Sequence, residues 1–154
     1  MDYFSAMKAA TINELKQELL NEKPAKLVEL CIRLARFKKE NKELLTYLLF
    51  EAHDTEAYIK SVIQEMDSNF ETINKSNAYF VKKTLRKILR ITHKFIRYSG
   101  SDIVATELLI HFCKTVKKMD KSITTNQVII NIYQNQLKKI NKAIAAMHED
   151  LQYD

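Results

Sequence analysis

The side chains able to do chemistry fall into three groups: four histidines, two cysteines and one dense run of cations. His53, His93, His111 and His148 are scattered along the chain. A zinc site draws imidazoles and thiolates from short recurring spacings, and a di-iron bundle pairs Glu and His three apart on one helix. Neither pattern occurs in the sequence. Glu107 and His111 are four apart on the polar side of their segment, which suits an exposed hydrogen-bonded pair rather than two metal ligands. His93 falls within the basic arc described below and is expected to be solvated. Cys31 and Cys113 lie in apolar stretches, Leu30-Cys31-Ile32 and Phe112-Cys113, without disulfide or metal spacing. Both are expected to be small buried hydrophobes of a reducing, cytoplasmic protein. With no nucleophile, metal set or cofactor motif to assign, the expectation is a non-catalytic chain.

The cations carry a stronger signal. Segment 76–98 holds Lys82, Lys83, Arg86, Lys87, Arg90, Lys94 and Arg97 and no Asp or Glu. The whole chain has a net charge of +6, so the remainder, without these seven, sums to −1. The entire basic excess therefore sits in one segment. On a helix these seven lie within about 140° of one another, with Val81, Leu85, Ile88, Leu89, Thr92, Phe95 and Ile96 on the opposite arc. Like charges four apart repel, by about 0.2–0.5 kcal/mol per pair, and no acid in the segment relieves them.

Something outside the segment, or solvent and salt alone, must offset that repulsion. Acids of a neighbouring helix could do so, for instance around Glu65, Asp67 and Glu71. So could an acidic protein partner, nucleic-acid phosphates or anionic lipid. Lipid fits least, because the apolar arc is needed for a core. Nucleic acid would be held through phosphate charge. The chain, however, has no Trp, no Gly-rich loop and no evident aromatics interleaved with the cations. The leading expectation is an interaction module presenting this helix to an acidic protein. Nucleic-acid binding comes second, and an enzyme or small-ligand binder with a site between helices third.

The elements that must position this segment are helices. One Gly and one Pro in 154 residues cannot supply the turns of a sheet protein, and 46% hydrophobic residues suffice for a core. The first helix starts at Thr11, whose spacing to Glu14 is that of a capping box, and runs to about 21; residues 2–10 could extend it backward. Pro24 opens the second, which ends near Lys38-Lys39. Asn41 is a candidate cap for a third, 44–52. Asp54 precedes a fourth, 55–73, with one continuous bent helix through both as the alternative. Residues 74–77 form a turn before the basic helix. Gly100 takes the left-handed position past its end, and Ser101-Asp102 cap a sixth helix, 103–118. Thr124 or Thr125 opens the last, reaching about 151.

That last helix carries a heptad: Ile130, Leu137, Ile144 and Leu151, with Tyr133, Ile140 and Met147 between them. Its flanking positions are mostly uncharged, which favours packing within the chain over an interchain zipper. Residues 29–39 and 107–117 align over an offset of half the chain, but shared helical periodicity alone can produce such a match. No tetratricopeptide, ankyrin or leucine-rich signature is present. The expected architecture is a single all-α domain over 1–154, with six to seven helices in an elongated bundle or a short stack of helical hairpins. A monomer or weak homo-oligomer is expected, with no transmembrane segment.

Overall fold

A computed structural model describes residues 7–152, with side chains through Glu149. It is all-α. The helices are α1 (Ile12–Leu20), α2 (Pro24–Phe37), α3 (Lys39–Thr46), α4 (Thr55–Glu71), α5 (Ala78–Ser99), α6 (Asp102–Lys117), α7 (Lys121–Thr124) and α8 (Gln127–Gln152). A π-helical stretch, Tyr47–Glu51, follows α3. The helix beyond the expected six to seven is α7, a four-residue turn. No helix among the described residues is long and apolar enough to cross a membrane. By their contacts the residues group into two units, one ending at Leu45 and one starting at Thr46.

In the first unit local signals set the helix ends. The Thr11 hydroxyl accepts from the Glu14 amide at 3.2 Å, and Pro24 opens α2. Residues 7–10 are not helical, and positions 2–6 of the expected extension lie outside the described residues. Lys38 leaves the helix with extended dihedrals (φ −142°, ψ 148°), which separates α2 from α3. Asn41 does not cap α3 as expected. It lies inside that helix, and its side-chain amide donates to the Leu34 carbonyl at 2.8 Å. It thus satisfies a carbonyl that the end of α2 leaves open. No described side chain in this unit is buried.

The core lies in the second unit. Asp54 ends the run from α3 by accepting from the Ala57 amide (3.0 Å), so two helices form rather than one bent one. Asn77 caps α5 by accepting from Phe80 at 3.1 Å. Gly100 closes α5 in the left-handed region (φ 58°), and the Ser101 hydroxyl accepts from Val104. The most buried helix is α6, with Val104, Leu108, Leu109, Phe112, Cys113 and Val116 enclosed by α4, α5 and α8. The Phe70 and Phe112 rings meet at 5.7 Å. Tyr58 packs on Tyr47 at 4.7 Å, and its hydroxyl donates to the Phe95 carbonyl at 2.7 Å, tying α4 to α5.

Two expectations need correction. The deepest stripe of α8 is Ile129, Ile132, Gln136, Ile140 and Ala143, set largely one residue before the expected seam. Ile130, Tyr133, Ile144 and Met147 are half-buried and Leu137 is 37% exposed; the side chain of Leu151 lies outside the described residues. An apolar reading steps over Gln136, yet its amide is satisfied inside the fold, at 3.4 Å from the Ile132 carbonyl and 3.2 Å from His93. The second correction concerns the cysteines. Both are free; Cys113 is buried, but Cys31 is exposed. Burial pushes the Cys113 thiol up to about 11.

Candidate interaction face on the fifth helix

Helix α5 is built as two unlike halves. Val81, Leu85, Ile88, Leu89 and Thr92 are buried, packed against α4 and α6. The Thr92 hydroxyl enters the core because it donates to the Ile88 carbonyl one turn back, at 2.8 Å. Burying this stripe fixes the rotation of the helix. It leaves Lys83, Arg86, Lys87, Arg90 and Arg97 exposed. None of these five has a carboxylate within ion-pair distance among the described residues. Lys82 and Lys94 are half-buried and differently engaged: their ammonium groups lie 5.3 Å from the Tyr79 ring centre and 5.4 Å from that of Phe95.

Tyr79 changes the reading of this arc. Counting back at about 100° per residue puts it about 60° from Lys82, on the same face as the cations and one turn before the first of them. It is 58% exposed, stacked edge-on against Phe80 at 5.6 Å. The basic face therefore does contain an aromatic side chain, contrary to expectation, and the same angular count that placed the cations could have found it.

The acids of α4 do not neutralise the arc. Asp67 turns to α6 instead, where its Oδ1 lies 2.7 Å from His111 Nε2. Glu65 and Glu71 are exposed and pair with no cation of α5 among the described residues. The same contact corrects the expectation for His111, whose partner comes from the adjacent helix rather than from Glu107 on its own.

His93 is likewise not the solvated group expected. It is half-buried, with Nε2 at 3.2 Å from Gln136 Oε1 and 3.2 Å from Lys139 Nζ. One ring nitrogen donates to the amide or accepts from the ammonium, not both, so the two contacts belong to different tautomers. Burial, then the Lys139 charge and more weakly Arg97, hold the imidazole below its ordinary range, while the Gln136 contact acts the other way. This contact joins residues 43 apart, so only the packing of α8 near α5 could disclose it.

Elsewhere, His53 and His148 are exposed. A groove of about 370 Å³ runs along α6 and α8, lined by Val116, Ile130, Tyr133 and Leu137 with Lys117, Thr124 and Gln134 at its margin. No buried ionisable side chain lines it. No group of three or more His, Cys, Asp or Glu among the described residues is placed to share a metal ion. Comparison with protein-family models, with curated proteins and with solved structures gives no match to this chain.

Proposed function

We propose that this chain is a non-catalytic interaction module that presents the exposed arc of α5 to an acidic protein partner. The observation carrying this reading is that Lys83, Arg86, Lys87, Arg90 and Arg97 stand exposed on one face with no carboxylate partner among the described residues. Their self-repulsion is not offset inside the fold, so an anionic surface docking there gains both attraction and relief of that repulsion. Tyr79 adds what charge alone lacks. Tyr and Arg are prominent in the energetics of protein interfaces, and an exposed Tyr beside Lys82 supplies an anchor with few rotatable bonds. A stacking surface for single-stranded nucleic acid needs successive rings along a groove, whereas the exposed rings here, Tyr79 and its neighbour Phe80, stand together at one end of a convex helix.

The test is a triple reversal, Lys83→Glu, Arg86→Glu and Arg90→Glu, with an Asp/Glu-rich peptide and a short DNA duplex as probes. Because the three side chains are exposed, helicity and Tm should stay nearly unchanged, each exposed charge being worth about 0–1 kcal/mol. Peptide binding should be lost and Tyr79→Ala should weaken it, while the wild-type chain prefers peptide to duplex at equal charge. Preference for the duplex, with log affinity falling against log salt at a slope of roughly −4 for four or five phosphates, would replace the acidic protein by nucleic acid. Peptide binding that survives the reversal would remove the reading altogether.

A further inference from the structure

The five exposed cations of α5 have a spacing as well as a charge. At about 100° and 1.5 Å per residue, Lys83, Arg90 and Arg97 follow one another about 10.5 Å apart, each turned only about 20° from the last. They form a nearly straight row about 21 Å long. Arg86 and Lys87 stand on either side of that row, so all five fall within about 100°. The face does not end with α5. His93 lies one turn before Arg97, at the edge of the arc, and its Nε2 is 3.2 Å from Lys139 Nζ on α8. Lys139 is exposed and has no carboxylate within ion-pair distance among the described residues. The packing of α8 near α5 thus adds a sixth exposed cation, from a residue 46 positions away from His93.

This geometry bears on the form of the occupant. A second helix laid alongside at a shallow angle keeps facing a seven-residue row over several turns. Carboxylates that recur every seven residues on such a helix meet the row at its own interval. An extended acidic segment gains main-chain bonds only where a sheet edge offers them. No strand occurs among the described residues, and α5 uses its backbone groups internally between its caps. A helix brings no unmet backbone groups of its own. It also holds its carboxylates at fixed intervals, so less freedom is lost on docking. The exposed rings of Tyr79 and Phe80, at the start of α5, give the row an apolar end.

We infer that the occupant of this face is an acidic α-helix laid along α5, with Asp or Glu recurring every seven residues against Lys83, Arg90 and Arg97. Further acids three or four residues away meet Arg86 and Lys87, one carboxylate reaches Lys139, and an apolar residue meets Tyr79. The inference rests on the reading of α5 as a site for an acidic protein and adds the form that protein takes. Three labelled peptides of identical composition separate the two. The first is helical with its Glu residues on one face at this spacing and its single Pro in the first turn, where a helix tolerates it. The second keeps the Pro there but distributes the Glu residues around the axis. The third keeps the first order but carries the Pro at its centre, which breaks the helix. Anisotropy titrations against the intact chain should show the one-faced helix binding about tenfold or more tighter than either of the others. Lys139→Glu should weaken that binding roughly threefold and leave the helicity of the chain unchanged, because the side chain is exposed. Equal binding of all three peptides would overturn the inference while leaving an acidic partner in place. Binding of none would overturn both. Undiminished binding by Lys139→Glu would overturn the placement of the helix across α5 and α8.

Discussion

At the residue scale, His93 has its protonation opposed by burial and by two nearby cations, Lys139 and Arg97. Its folded pKa lies below the unfolded 6.5. Between the two values the unfolded chain binds more protons, so this residue's contribution to stability is complete above about 6.5 and is lost as pH falls through that window. Urea midpoints measured from pH 7 down to pH 5 should therefore decline more steeply for the wild-type chain than for His93→Gln. Parallel pH profiles would show that the ring titrates as it does in the unfolded chain. Gly100 gives a second residue-scale expectation. Its φ is +58° and a Cβ there would meet nothing within 4 Å, so only backbone conformation penalises a side chain. Gly100→Ala should cost about 1–2 kcal/mol in chemical denaturation, and Gly100→Asn less. An alanine variant as stable as the wild type would mean that the α5–α6 turn relaxes out of the left-handed region. The αL glycine was legible from its place after an apolar-periodic run. The environment of His93 was not, because its partners are supplied by another helix.

At the element scale, starts were easier to read than registers. Thr11, Asp54, Asn77 and Ser101 each accept a backbone amide three residues on, a local event that side-chain type alone announces. Asn41 misled because the same amide chemistry can serve the end of the preceding helix as readily as the start of its own. Register depends on what lies opposite. In α8 the apolar heptad pointed to Leu137, whereas α6 and His93 draw Gln136 inward and leave Leu137 37% exposed. Ile140 belongs to both stripes. Ile140→Ala should therefore destabilise by about 2–5 kcal/mol, as large-to-small core changes do, and Leu137→Ala by less than about 1 kcal/mol. Equal losses from the two would return the helix to the expected seam. The π-helical stretch at Tyr47–Glu51 and the short α7 had no counterpart in the sequence reading. The π-helical stretch carries no cap signal, whereas α7 follows Asp120, a capping residue type whose side chain makes no capping bond here.

At the scale of the whole molecule, charge and apolar surface are distributed unevenly for one reason: burial decides which faces are left. The core of the second unit takes one side of α5 and turns its basic excess outward. The first unit buries no described side chain and leaves α2 open. The cation cluster was legible in the sequence because it follows from helical periodicity alone. Whether the acids of α4 cover it was not, since that depends on Asp67 turning to His111. Binding of a labelled Asp/Glu-rich peptide should be measured by anisotropy for the wild-type chain and for Lys83→Glu/Arg86→Glu/Arg90→Glu, with duplex DNA as competitor. Saturable peptide binding is expected, which the reversal abolishes, salt weakens and duplex displaces poorly. Equal binding by the two chains, or none by the wild type, would contradict it.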